Sequence, residues 1–224
     1  MITKDIKSHL ADKYSEHLDT ISNMSKSDKG QILVKDERKL YNFDKITEAL
    51  YRKNTPESAD SIYATKRKIY FVEYKSGFKK KISKDNFKKE SMICPDDEKK
   101  EKYCEPYADL FFKNQKNEDK ILRNSIHMKA IESYMTFMKE IAPNCIDDGV
   151  RKNIIFCVVV DDESMDKTED ILNDLAKKSS DTNARTRLRQ SLSRLCNNSE
   201  KDYYFDEIKV FSPYEFKNFV TQNI

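Results

Sequence analysis

Residues 59–75 read ADSIYATKRKIYFVEYK. Two runs rich in β-branched and aromatic residues, 59–65 and 69–75, flank a polar connection from Thr65 to Lys68, and together they predict a β-hairpin. Side chains alternate along a strand, so Ile69, Phe71, Glu73 and Lys75 are expected on one face and Tyr70, Val72 and Tyr74 on the other. Pairing across a short hairpin sets Asp60, early on the first strand, level with the far end of the second, where Glu73 and Lys75 lie. Two carboxylates and one ammonium are therefore expected to converge.

Outward from the hairpin, the apolar spacing changes to that of helices. Phe43, Ile46, Thr47, Leu50 and Tyr51 predict a helix from Asn42 that stops before Thr55, the residue preceding Pro56. Ile6, Leu10, Tyr14, Leu18 and Ile21 predict a helix over 2–22, followed by a linker over 22–31. The expected division is a helical extension with linker over 1–30 and a single α/β domain over 31–224, with an insertion near 92–118. Within that insertion, Tyr107, Leu110, Phe111 and Phe112 suggest one short helix. Beyond it, Leu122, Ile126, Ala130, Phe137, Met138 and Ile141 predict a long amphipathic helix over 119–142, ended by Pro143. Residues 153–161 are apolar on both faces, the pattern of a central strand with a parallel neighbour. Asp166 with Glu169, and Ser212 with Pro213 and Glu215, have the spacing of helix starts; a further helix is expected over 184–195 and a strand over 208–211. This order predicts a mixed sheet with helices on both faces.

Composition closes several alternatives. Gly30, Gly77 and Gly149 are too few and too scattered for a Walker or dinucleotide loop, which needs neighbouring glycines so that backbone can approach phosphate. The longest apolar run, 154–160, is far short of the roughly 20 residues of a membrane helix. The N-terminus is charged throughout and lacks the apolar core of a secretory signal, so a cytoplasmic or nuclear protein without a membrane partner is expected. Five cysteines without C-x-x-C spacing are expected to be reduced thiols rather than disulfides or zinc ligands. The net charge of +3 is small, but its placement is uneven: between 66 and 89, ten basic residues are opposed only by Glu73 and Asp85.

A hard divalent cation such as Mg²⁺ takes one or two protein carboxylates plus water and phosphate oxygens, and Lys75 would then position or polarise an attacking water. An acid two residues before a lysine also occurs at Asp5, Asp97, Glu98, Glu118, Glu207 and Glu215. Only Glu73 ends an aromatic and β-branched strand that has an acid on its hairpin partner, Glu207 with Lys209 being the nearest rival.

Over about residues 42–160, the helix, the hairpin bearing Asp60 and Glu73-Tyr74-Lys75, the long helix and the buried strand resemble the PD-(D/E)XK nuclease superfamily. The resemblance implies a restriction-endonuclease-like fold and a nuclease, expected to be an endonuclease, that uses Mg²⁺ or Mn²⁺. It implies Asp60 and Glu73 as metal ligands, the Tyr74 carbonyl as a third, Glu48 as an additional acid, and Lys75 as the catalytic lysine. DNA is favoured over RNA as the partner because the superfamily is dominated by DNA cleavage. Lys79, Lys80, Lys81 and Lys84 are expected to hold flanking phosphates, and Arg185 and Arg189 either to make a second backbone contact or to form a solvated face. Pro56 stands four residues before Asp60 rather than beside it, and residues 54–58 leave no room for the strand the family places there, which is expected at 31–35 or 78–83 instead. The alternative is a nuclease-like module that does not cut and binds nucleic acid or a protein partner; a homodimer is compatible with either. Lys129 and Glu132, on the long helix, are read as surface ion pairing, and Cys157 as a core residue.

Overall fold

Every residue of the strand β5 (Ile154–Val160) is buried, and a strand buried on both faces must lie inside a sheet. In the computed structural model, which describes residues 3–76, 105–143, 153–161, 184–196 and 204–223, β5 lies between two parallel partners. These are β4 (Ile69–Lys75) and β6 (Glu207–Phe211). On its other edge β4 pairs antiparallel with β3 (Ser61–Ala64), β3 with β2 (Lys39–Asn42), and β2 with β1 (Leu18–Thr20). The result is a six-stranded mixed sheet in sequential order.

Alternation along β4 divides the apolar side chains between two cores. On one face Ile69 and Phe71 meet Ile6 and Leu10 of α1 (Thr3–Tyr14) and Phe43 and Ile46 of α3 (Phe43–Leu50). The same face carries Ile126 and Ala130 of α4 (Glu105–Thr136) and Leu188 and Leu192 of α5 (Ala184–Leu192). On the other face Tyr70, Val72 and Tyr74 meet Ile21 of α2 (Ile21–Met24) and Phe216 and Val220 of α6 (Pro213–Asn223). Phe71 lies edge-on to Phe43, Phe137 and Phe205, with ring centroids 5.2, 5.6 and 6.3 Å away, the preferred aromatic arrangement.

Three expectations are corrected here. The helix over 2–22 ends at Tyr14, because Leu18–Thr20 pairs with β2 and strand pairing overrides local periodicity. Its apolar positions then split, with Ile6 and Leu10 in one core and Ile21 in the other. The expected linker is stitched by serines: Ser22 Oγ donates to the Asp36 carbonyl at 2.9 Å and accepts from the Asp36 amide at 2.8 Å, while Ser25 Oγ accepts from the Val34 amide at 3.1 Å. A boundary at residue 30 thus does not separate two packing units. The strand expected at 31–35 or 78–83 is not found at the first, where only Ile32 bridges, to Lys26, and the second lies outside the described residues; a strand lies instead at Lys39–Asn42, ahead of α3.

The long helix starts at Glu105, so the part of the expected insertion from 105 to 118 is helical, and it closes through a π-helical turn, Phe137–Ile141. Residues 92–104 and the helix start at Asp166 lie outside the described residues. Two caps form as their residue types predict: Asn42 accepts from the Lys45 amide at 3.0 Å, and Ser212 and Glu215 bond each other's amides at 3.1 and 2.9 Å. No helix among the described residues is long and apolar enough to cross a membrane.

Candidate active site

Ser61 pairs with Val72, which sets Asp60 opposite Glu73 at the open end of the hairpin. Backbone contacts hold Asp60 there. Its carbonyl accepts from the Phe43 amide at 3.1 Å, and its Oδ2 accepts from the Tyr74 amide at 2.6 Å. The lead-in to Asp60 is tied to α4, since the Glu57 amide donates to Glu132 Oε2 at 2.5 Å and the Ala59 amide to Ser133 Oγ at 2.8 Å. Ser58 Oγ donates to Asp44 Oδ1 on α3, so both helices fix this segment.

Glu73 continues the apolar face of Phe71, and its side chain is fully buried. Burying an unpaired charge costs several kcal/mol, roughly, so a carboxylate here must be paired or metal-bound. Its Oε1 lies 2.8 Å from Lys75 Nζ, and Lys129 Nζ is 3.1 Å from the Glu73 carboxylate and 3.4 Å from Asp60 Oδ1. Two carboxylates and two ammonium groups therefore form one balanced cluster, and Asp44 adds a third negative charge within its field.

The cluster perturbs its members. Burial first, and the Glu73 charge second, push the Asp60 carboxyl well above the ordinary carboxylate range, although 18% of its side chain still meets solvent; Lys129 and the Tyr74 amide act in the opposite sense. Burial works against the charge of Lys129, but Glu73, Asp60 and Asp44 together outweigh it and hold the ammonium above the ordinary lysine range.

Asp60 and Glu73 fit a hard divalent cation as a pair. Glu73 Oε1 is buried without an aligned hydrogen bond despite its two ammonium neighbours, and among the described residues Asp60 Oδ1 has only the 3.4 Å contact to Lys129. Each carboxylate thus presents an oxygen with spare capacity, and two carboxylates suffice for Mg²⁺ when waters and phosphate oxygens complete its shell. Among the described residues no group of three His, Cys, Asp or Glu converges, so the pair is the whole side-chain donor set there. The side chain of Tyr74 lies in the opposite core, whereas its amide points to Asp60. A residue's N–H and C=O leave a strand on the same side, which turns the Tyr74 carbonyl toward Asp60 as well.

The other expected residues are placed differently. Glu48 is exposed and makes no hydrogen bond or ion pair among the described residues; the α3 acid that bears on the site is Asp44, one turn earlier and next to Ser58. Arg185 is buried and its Nη1 lies 2.5 Å from Glu215 Oε2 on α6, which shelters it from a phosphate. Arg189 is exposed beside a cavity of about 310 Å³ lined also by Glu207, Lys209 and Glu215. Lys79, Lys80, Lys81 and Lys84 lie outside the described residues. Glu207 and Lys209 form an ion pair at 2.9 Å on β6.

Lys129 belongs to the cluster rather than to the surface, which corrects its reading as surface ion pairing. The signal was present in α4: Lys129 falls three residues after Ile126 and four before Ser133, both fully buried, so it interrupts the apolar stripe instead of flanking it. Compared with protein-family models, curated proteins and solved structures, the chain matches none.

Proposed function

We propose that the protein is a metal-dependent nuclease with a restriction-endonuclease-like core, hydrolysing phosphodiester bonds of DNA in preference to RNA. The observation that supports this most is the convergence of Asp60 and Glu73 across the hairpin end, with Lys75 2.8 Å and Lys129 3.1 Å from Glu73. The order α3, β3, β4, α4 and β5 supports the resemblance, whereas β2 precedes α3 instead of lying between it and β3. The preference for DNA rests on the resemblance alone.

When bound, Mg²⁺ or Mn²⁺ would supply activation of a water and stabilisation of charge on the scissile phosphate. Asp60 and Glu73 hold the cation, with the Asp60 carboxylate pre-set by the Tyr74 amide and that of Glu73 by Lys75. Lys75, partly open to solvent with 23% of its side chain exposed, orients the water and offsets negative charge growing on the phosphate oxygens. Lys129 neutralises the carboxylates from the α4 side and keeps them together before substrate arrives.

One observation favours a second reading, a module that binds without cutting: the Lys129 ammonium lies within 3.1 and 3.4 Å of the two carboxylates, where it competes with a cation. A cleavage assay separates the two. Single-stranded DNA, duplex DNA and RNA are incubated with wild type, Glu73→Ala and Lys75→Ala in Mg²⁺, Mn²⁺ or chelator. Metal-dependent cutting by the wild type that falls about 100-fold or more in either variant is expected. Folded wild type that leaves every substrate intact overturns the nuclease reading in favour of the binding module.

A further inference from the structure

At the opposite end of the hairpin from Glu73 lies a cavity of about 550 Å³, within the size range of small-molecule sites. The rise along β4 from Lys68 to Glu73 separates it from the carboxylates by about 17 Å. Lys7 of α1, Lys66, Arg67 and Lys68 of the β3–β4 turn, and Lys209 of β6 line it, and among its described lining residues there is no carboxylate. Among the described residues, Glu207 reaches Lys209 from the adjoining surface at 2.9 Å.

The turn that carries three of these cations is pinned. Thr65 Oγ1 accepts from the Arg67 and Lys68 amides at 3.2 and 2.9 Å, and the Thr65 amide donates to the Lys68 carbonyl at 2.8 Å. A ligand therefore meets charges already gathered and does not have to order the loop that bears them. The remaining walls are of another kind. Tyr63 and Phe219 offer aromatic surface, with Phe219 fixed edge-on against Tyr70 at 5.4 Å, and Gln222 and Asn223 at the end of α6 offer amide donors and acceptors.

Cations suit a phosphate, aromatic rings suit a planar base, and amides suit the edge of that base. A bare phosphate would leave most of the volume and all of the aromatic wall unused. We propose that this cavity binds a nucleotide unit, its phosphate among the turn cations and its base against Tyr63 and Phe219. The unit is either a free nucleoside monophosphate or the 5′-phosphorylated end of a strand, which present the same chemistry. The proposal does not depend on the nuclease reading, because none of the lining residues belongs to the Asp60 and Glu73 cluster.

Isothermal titration of the full chain in chelator tests it, with adenosine monophosphate, adenosine, inorganic phosphate, and an oligonucleotide with or without a 5′-phosphate. Adenosine monophosphate is expected to bind at least about tenfold more tightly than adenosine or phosphate, the loss anticipated when one charge-assisted or stacking contact is removed. The double variant Arg67→Ala, Lys68→Ala, and separately Lys7→Ala on the exposed side of α1, should weaken it while the unfolding midpoint stays in place; Glu73→Ala should leave it unchanged. Tighter binding of the 5′-phosphorylated oligonucleotide than of the mononucleotide assigns the strand end as the source, and the reverse order assigns the free nucleotide. Absence of binding to every phosphorylated probe, or binding that both turn and helix variants leave untouched, overturns the proposal. Because the titration needs no metal and no cleavage, its failure is distinguishable from loss of nuclease activity.

Discussion

Lys129→Met removes one charge from the cluster at nearly constant side-chain volume. In the wild type its ammonium is the group common to both acids, 3.1 Å from Glu73 and 3.4 Å from Asp60. After the change Glu73 keeps Lys75 at 2.8 Å, and among the described residues Asp60 keeps only the Tyr74 amide at 2.6 Å. Breaking a fully buried ion pair costs about 3–5 kcal/mol. Here the loss is smaller, because Lys75 remains and about a fifth of the Lys129 and Asp60 side chains is open to solvent, which screens the interaction. A destabilisation of about 2 kcal/mol follows, or roughly 4–8 °C in Tm for a chain of this size. Thermal unfolding in chelator reads that number directly. Repeated in Mg²⁺, both proteins should gain, by about 2.7 kcal/mol at a hundredfold excess over Kd, and the deficit should shrink because the variant lacks the ammonium that competes with the cation and so binds it more tightly. A variant as stable as wild type in chelator would refute the view that Lys129 holds the carboxylates together. Mg²⁺ that raises the Tm of neither protein would refute the pair as a cation site.

Phe71→Ala removes a fully buried ring that meets Phe43, Phe137 and Phe205, and should cost about 3–5 kcal/mol in urea unfolding; a loss under about 1 kcal/mol would mean the aromatic core refills the space. The hydrogen bond from Arg38 is the leading cause that holds the Asp36 carboxyl below its ordinary value of 3.8, so it contributes stability that is present above that pH and lost as pH falls through the depressed value. Arg38→Ala should therefore be less stable than wild type near neutrality and equal to it in strong acid; a deficit that persists in acid would assign the loss to the Arg38 contacts with Thr221 and Lys217 instead. Cys157 is fully buried in β5, and burial pushes its thiol up, so iodoacetamide should label it only after unfolding; labelling of the native protein at Cys157 would contradict a closed sheet.

The hairpin was legible because its signals are local. Alternation from Ile69 to Lys75 is a property of adjacent residues, and it became the division between the two cores. Asp60 falling opposite Glu73 needed only the length of the Thr65 to Lys68 connection. What was illegible depended on distant partners. Leu18–Thr20 has helical spacing on both sides and becomes a strand because β2 offers it a ladder. Lys39–Asn42 is too short to announce itself and is fixed by its neighbours β1 and β3. Glu48 and Asp44 lie one turn apart on α3, so the helical spacing of either acid is equally suitable, and only the contact with Ser58 selects Asp44. Lys129 lies toward the C-terminal end of a 32-residue helix; its break in the apolar stripe was a local signal, but the carboxylates it meets are set by how that helix approaches the hairpin.

The place of the cluster follows from how the sheet changes direction at β4. Antiparallel β3 begins where β4 ends, so the residue before β3 meets the last residues of β4, while parallel β5 ends beside it, Val160 against Lys75. The C-terminal end of β4 is thus where a chain arrives on one side and another departs on the other, the location at which sheets of parallel strands gather ligands. The backbone alone does not require charge at this point. Replacing a buried ionic cluster by apolar side chains of similar volume is commonly neutral or stabilising, so a cluster of four charged groups that includes a fully buried Glu73 is not explained by stability. It is explained if the cluster exists to receive something: two acids drawn together against their own repulsion, and a carboxyl on Asp60 displaced upward by burial and by its neighbour, are the condition that a divalent cation relieves.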